Sequence, residues 1–588
     1  MSLFNELKRR NVFKVAAAYF IVAWLLLQVS DTLVPALRLP EWFHSGVAFI
    51  LILGFPVAII LAWAFELTPE GLKRDYEVDR SESTTPQTGR KLDFAIIGLL
   101  VVALGYFAYD KFAVGPGRTE QAIQIDKSIA VLPFVNMSSD VEQEYFSDGL
   151  AEEVLNLLAK IPDLRVIART SSFSYKGKDI KIADVANELN VGHVLEGSVR
   201  KAGDQLRITA QLIRASDSSH LWSQTWDRKL EDIFAIQDEI AAEVTDQLKL
   251  TLLDGLPNVE EIDPESYALF LQARQLARLG TAERFAQSNK LYLQVLEIDP
   301  DYTAAWYGLA SNYNRQALNG LLPFEEGFLM AREAANRALT IDPGYALAHT
   351  SLGWTAMLYG HDLQAAARHF QRAMVLEPGD LTVLLEASKL VGNLGRMLEA
   401  IALKEYVLAR DPLNFDVYYI LGLANRHAGR IDEALAAFAT ALRLSPGGVG
   451  LHYRLGEVQL ISGEPEAAMA SFKEETEGGW RMIGEVMAYY ALGQKFESDT
   501  ALAKLIKDYE TGAAYNIAYI LALRNEADRA FEWLDKAVQY NDSGLADVAN
   551  EGMFANIHDD PRWLPFLESI GKSPEQLAAI EFKVTLPE

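Results

Sequence analysis

For chemistry this chain offers nine histidines, no cysteine and a large excess of carboxylates. Without cysteine there is no thiolate nucleophile, no thiolate zinc site and no disulfide framework. No two histidines stand at the i, i+4 spacing that puts both imidazoles on one helix face, as in H-E-x-x-H. His361 and His369 are the nearest pair, and eight residues apart across a turn they read as surface residues rather than ligands. There is no P-loop, no G-x-S-x-G elbow and no G-x-G-x-x-G. Ser171, Ser172 and the loop Lys176-Gly177-Lys178 could hold an anion, but a single glycine between lysines reads first as an ordinary solvated loop. Acid pairs are so common at a formal charge of -26 that none can be nominated for acid–base work. The residues therefore predict no catalytic site, no cofactor, no metal and no enzyme.

At 588 residues and 50% hydrophobic content the chain can bury several cores. Residues 1–91 hold ten Lys and Arg against nine Asp and Glu, leaving 44 against 71 for the rest. So acidic a body repels phosphate backbones, which excludes nucleic acid as the expected partner and steers basic partners toward it. Apolar runs predict three membrane-spanning helices near 15–37, 46–66 and 93–112, within a membrane domain of residues 1–112. Asp31, a lone acid in the first run, reads as reaching the interface rather than as functional. Lys8, Arg9, Arg10 and Lys14 precede the first run, and Arg90 and Lys91 precede the third. The positive-inside bias then predicts a bacterial inner-membrane protein with a cytoplasmic amino terminus and a periplasmic body.

Residues 113–126, with Gly115-Pro116-Gly117, read as a linker, and 127–252 as a compact α/β domain. Strands are expected at Ser128 to Phe134, Leu164 to Ala168, Gly192 to Arg200, Gln205 to Arg214 and His220 to Arg228. Helices are expected from an Asp148 cap to about Lys160, at Ile182 to Leu189, and from Leu230 to Leu250. Leu206, Ile208, Ala210 and Leu212 alternate with Arg207, Thr209 and Gln211, the pattern of a strand with one buried face. The blocks Ile129-Ala130-Val131-Leu132-Pro133-Phe134, Tyr145-Phe146-Ser147-Asp148-Gly149-Leu150 and Leu195-Glu196-Gly197-Ser198-Val199-Arg200 strongly resemble the TolB-like (FlgO-like) amino-terminal domain of bacterial envelope proteins. Domains of that kind commonly precede tetratricopeptide repeats and are sometimes fused to adenylate cyclase or winged-helix domains, neither of which is expected in this chain.

From Ile262 the pattern turns helical, and prolines at 300, 343, 378, 412 and 446 recur at spacings of 43, 35, 34 and 34. Gly360, Gly395, Gly429 and Gly463 repeat with the same period. Tyr418, Leu421, Gly422, Ala434, Phe438, Ala441 and Pro446 resemble one consensus tetratricopeptide repeat. The array is assigned to 262–545, with an insertion at Leu318 to Phe328, and 546–588 read as a carboxyl-terminal cap.

The expected fold is thus multi-domain: three transmembrane helices, a small α/β (TolB-like) domain and an all-α tetratricopeptide-repeat solenoid. Such solenoids bind partners on the concave face lined by first helices. Projecting the register puts Tyr307, Arg315, Trp354, Lys389, Asn393, Tyr419, Arg426, His427 and Tyr453 there, although each could equally brace adjacent repeats. The expected function is a membrane-anchored periplasmic scaffold for protein or peptide partners in the cell envelope. The alternative is a ligand sensor or regulator of a separate signalling enzyme such as an adenylate cyclase. The hairpin Gly192 to Arg214 offers strand edges, from which a homo-oligomer held by residues 1–252 is expected.

Overall fold

The computed structural model describes residues 127–587 except 141–142, 162, 179, 204 and 249–262; among the first 126 it describes only 15–16, 19–20, 22–23, 26, 47, 49–56, 65–68 and 71–74. The chain forms two compact units, residues 1–124 and 125–588.

In the first unit the Tyr19 hydroxyl donates to the Leu51 carbonyl (2.7 Å), and the rings of Tyr19 and Phe20 pack on Phe55. Strand β1 (Phe65–Thr68) then pairs antiparallel with β2 (Gly71–Arg74), setting Glu66 opposite Lys73. The expectation of three membrane-spanning helices is corrected here: among the described residues no helix is long and apolar enough to cross a membrane. The second expected span runs into a strand at Phe65. A physical reason lies in the sequence Thr68-Pro69-Glu70-Gly71, whose proline and glycine are residue types that favour a strand reversal over a continued helix. The third expected span, the linker 113–126 and Asp31 lie outside the described residues. The inner-membrane anchor and the periplasmic placement of the body rested on those crossings and are withdrawn with them.

The second unit opens with a sheet of β3 (Ser128–Val131), β4 (Val135–Asn136), β5 (Arg165–Val166), β6 (His193–Ala202), β7 (Gln205–Arg214) and β8 (His220–Lys229). Its order is β5-β3-β6-β7-β8, with β4 also on β6; β3 runs parallel to its neighbours and β6-β7-β8 is an antiparallel meander. Strand β3 is buried throughout because helices cover both its faces. Ile129 and Val131 pack with α1 (Glu144–Ala159) and α4 (Ile233–Gln247), whereas Ala130 packs with Val185 and Leu189 of α3 (Ile182–Leu189). A short α2 (Arg169–Phe173) follows β5. The alternation in β7 holds: Leu206, Ile208, Ala210 and Leu212 are buried, while Arg207 pairs with Asp227 of β8 on the wet face (2.7 Å). Two expectations change. Asp148 is no cap: α1 begins a turn earlier, and Asp148 is buried within it against Lys176 (2.5 Å). The hairpin Gly192 to Arg214 is not an edge either, because β8 pairs along the whole of β7 and takes that place.

Eight helical pairs follow: α5 (Pro264–Arg278) and α6 (Ala282–Ile298); α7 (Thr303–Leu318) and α8 (Phe324–Ile341); α9 (Ala346–Leu358) and α10 (Leu363–Leu376); α11 (Leu381–Asn393) and α12 (Met397–Leu408). The other four are α13 (Phe415–His427) and α14 (Ile431–Leu444); α15 (Leu451–Ile461) and α16 (Pro465–Glu474); α17 (Gly478–Ala491) and α18 (Lys495–Tyr509); α19 (Ala514–Leu523) and α20 (Ala527–Gln539). The turn inside each pair carries one left-handed residue: Gly280, Gly320, His361, Gly395, Gly429, Gly463, Gly493 and Asn525. Glycine and asparagine tolerate that conformation at little cost, so the repeat persists past the point where its prolines stop.

Within a pair the helices approach most closely where a first-helix glycine meets a second-helix ring. A Cβ on Gly353, Gly422 or Gly456 would lie 2.9, 2.6 or 2.4 Å from Phe370, Phe438 or Phe472. Gly422→Ala is therefore expected to destabilise the array by about 1–3 kcal/mol through overpacking, despite the better helix propensity of alanine. Urea denaturation checks this, and a stabilised variant would contradict it.

Past α20 the chain forms two 3-10 stretches, Ser543–Asn550 and Gly552–Ile557, then α21 (Trp563–Ser569) and α22 (Pro574–Ala578). Phe554 and Trp563 enter the core of the last pairs. The segment then turns back across the middle of the array. Asn550 Nδ2 donates to the Gly392 carbonyl (3.2 Å), Arg396 Nη1 to the Phe582 carbonyl (2.6 Å) and the Lys583 amide to Gln371 (2.7 Å). Leu577 and Phe582 join the core formed by α9 to α13.

Candidate functional site

The α/β domain docks on the array at two places. On α1, the Glu152 carboxylate gathers Arg169 of α2 (2.9 Å) with Arg274 (3.4 Å) and Arg278 of α5, beside Gly149, which lies against Leu271. At α2, the Ser171 hydroxyl donates to Asp411 in the α12–α13 turn (2.6 Å) and accepts from the Leu413 amide (2.8 Å). Ser171 is thus committed inside the protein, and Lys176 is held by Asp148 and Glu144, which removes the anion-holding reading of that loop.

First helices α7, α9 and α11 pack side by side. Trp354 on α9 donates its indole N–H to Glu386 on α11. Lys389, one turn along α11, lies 2.9 and 3.0 Å from the Glu386 oxygens and 4.4 Å from the centre of the Trp354 ring. Burial pushes the Glu386 carboxyl up, while Lys389 and Lys404 pull it down. Tyr307 on α7 packs on Tyr345 (5.9 Å between centroids), and burial raises its hydroxyl. Arg315, also on α7, donates to the Ala277 carbonyl (3.0 Å) and lies over Phe285. The exposed Asp416 at the start of α13 feels both Lys389 and Arg315. All of Tyr307, Arg315, Trp354 and Lys389 are half-buried, so one edge of each meets solvent.

The remaining residues projected onto this face are engaged within the chain. Arg426 makes two 2.8 Å hydrogen bonds to Glu551 of the returning segment, with His427 Nε2 accepting from Arg426 (2.7 Å). Tyr453 is fully buried and donates to Glu457 (2.7 Å) beside the Tyr519 hydroxyl. Tyr419 accepts from Arg454 (3.2 Å) and meets Phe438 edge-on. Asn393 is buried at the end of α11, next to the Gly392 carbonyl that Asn550 occupies. Sequence reasoning missed the acidic members. Glu386 was findable, three residues before Lys389 on one helix face, but nothing local marks Glu551 as the partner of a residue 125 positions earlier.

Comparison with known proteins gives the following. Residues 125–243, where the sequence suggested a TolB-like domain, match the family model of the HilA/YgeH-like transcriptional regulator, second domain. A protein of Rhizobium meliloti (strain 1021), provisionally named adenylate cyclase 3, is 40% identical over 241 residues. The match covers 39% of this chain and 41% of that relative, so this chain spans about two fifths of the relative's length. Among solved structures, Pseudomonas aeruginosa pilF is 17% identical with a TM-score of 0.29, over 34% of this chain and 92% of its own. PilW, a type IV pilus biogenesis factor, is 18% identical with a TM-score of 0.31, over 36% and 98%. Residues 385–449 and 429–480 match the tetratricopeptide-repeat model. The helical body of the chain is built of tetratricopeptide repeats, a fold that binds protein or peptide partners.

Proposed function

We propose that this chain is an adaptor that acts by binding rather than catalysis, taking an extended segment of a partner protein along the face of Tyr307, Trp354, Glu386 and Lys389. The observation that carries this reading is the Trp354–Glu386–Lys389 cluster. It is an indole with one face under a cation and its N–H on a carboxylate, held rigidly across two helices. Aromatic side chains pre-organised in this way dominate binding energy at interfaces. The room favours an extended segment over a folded domain. At the start of α11 Lys160 of the α/β domain acts on Glu377 and Asp380, and at its end the returning segment holds Gly392. Cations (Lys389, Arg315) and anions (Glu386, Asp416) alternate along the face, which suits a segment carrying both charges around an apolar residue.

Selection from a displayed peptide library, followed by affinity measurement, tests this. Trp354→Ala should weaken the selected peptides by at least about tenfold, roughly 1.4 kcal/mol, with no comparable loss of stability. Binders indifferent to Trp354 would place the site elsewhere.

The partial identity to the cyclase-named relative favours a second reading, in which the chain regulates a separate signalling enzyme. Cyclic-nucleotide levels that stay constant when the chain is deleted from its cell would remove it.

A further inference from the structure

The returning segment and the α11–α12 turn line a half-open cavity of about 690 Å³, within the size range of small-molecule sites, about 300–1,000 Å³. Leu394, Trp563, Leu567, Leu577 and Ile580 form its apolar walls. Its polar groups are Arg396, Asn550, His558 and Lys572, and no carboxylate lines it, although Asp and Glu outnumber Lys and Arg 80 to 54 in the chain. Arg396 is already engaged by Glu399 (2.7 Å) and by the Phe582 carbonyl. Lys572 differs: it is 6% exposed, and its Nζ donates to the Ala546 carbonyl (2.9 Å), one acceptor for an ammonium with three donors. His558 stacks on Trp563 (4.8 Å, 28° between planes), so the apolar wall next to the cation is flat and aromatic.

We propose that this cavity binds an amphiphilic carboxylate, its head on Lys572 and its apolar body against Trp563, Leu567 and Leu577. A buried ammonium short of acceptors is costly, and an incoming carboxylate relieves that cost through a charge-assisted hydrogen bond. The apolar walls add the burial of the ligand's hydrocarbon. The site is separate from the Trp354 groove and does not depend on the adaptor reading.

Isothermal titration of the full chain with decanoate near neutral pH, with decan-1-ol as the uncharged control, tests the proposal. Decanoate should bind at one saturable site, with decanol at least about tenfold weaker. Lys572→Met, which keeps the volume and removes the charge, should abolish that preference without lowering the melting temperature. The wild-type chain gives a readout that needs no variant. Burial pushes the Lys572 amine down to about 8, and Asp547 works the other way. His558 and Arg396 are the other ionisable groups lining the cavity. Decanoate affinity should therefore fall as the pH is raised through that value, while decanol affinity stays constant. Equal affinity for the two ligands, no binding to the wild-type chain, or a decanoate affinity that holds across that pH range overturns the proposal. So does a folded Lys572→Met chain that binds decanoate as the wild type does.

Discussion

Replacing Arg426 with methionine is expected to cost the fold about 3–5 kcal/mol, because it leaves the Glu551 carboxylate in the interior without its counter-ion. The two side chains are 3% and 4% exposed, and both guanidinium–carboxylate bonds are 2.8 Å. Burial opposes ionisation of Glu551, but Arg426 outweighs it and holds the carboxyl well below its usual range. A carboxyl with a depressed folded pKa contributes stability above its unfolded value, about 4.5, and loses that contribution as the pH falls below it. The double variant Arg426→Met/Glu551→Gln should recover most of the loss. No charge is then left alone, and the new amide can still accept from the Met553 N–H, as Glu551 does at 3.1 Å. Urea denaturation of both variants, with limited proteolysis of the carboxyl-terminal segment, checks this. A single variant within about 1 kcal/mol of the wild type would mean that solvent reaches Glu551.

The second large effect is expected at Glu152. Three arginines converge on it, from α2 and from α5, and its side chain is 9% exposed. Burial again works against the charge, and Arg274, Arg278 and Arg169 overcome it, so the carboxyl is held below its ordinary value. Glu152→Gln keeps the shape and removes the charge that reconciles three guanidiniums, of which only Arg274 has a second carboxylate, Glu153 at 2.8 Å. The expected loss is about 3 kcal/mol, falling on the contact between the α/β domain and the first repeats. Calorimetry should show the α/β domain melting ahead of the repeats in the variant and together with them in the wild type. In the wild type the same uncoupling should appear in acid, below about pH 4.5. One unchanged transition in the variant would show that the Leu271 contact and the Ser171–Asp411 dock hold the two parts together without this charge.

The α/β domain was legible because its signals are local. The alternation of β7 and the helix at Ile182–Leu189 each lie within ten residues, and each appears as read. The repeats were legible for the same reason as far as Pro446 and Gly463, where the two recurring markers end. The left-handed turns at Gly493 and Asn525 continue the register, but one uses asparagine and neither is followed by the expected Pro. The membrane helices were misread because apolar runs and flanking charges mark hydropathy, not helix length, and among the described residues no helix is long and apolar enough to cross a membrane. The groove was half legible. A 34-residue projection brought together Trp354 and Lys389, which do meet across two first helices. It carries no information about what the rest of the chain lays on the projected residues, and so it could not separate Trp354 from Arg426, which Glu551 covers.

The returning segment also bears on how the chain folds. A linear repeat array can nucleate anywhere and zip from neighbour to neighbour, with each new repeat completed as it is made. Here the core of α9 to α13 includes Leu577 and Phe582, and its sealing hydrogen bonds join residues 186 and 212 positions apart. Loops of that length must close before those contacts repay them, which slows folding and raises the dependence on non-local order. During synthesis the middle repeats must therefore wait, with apolar surface open at the Phe582 site, until residues 577–583 have left the ribosome, an interval in which a chaperone or a neighbouring chain competes for that surface.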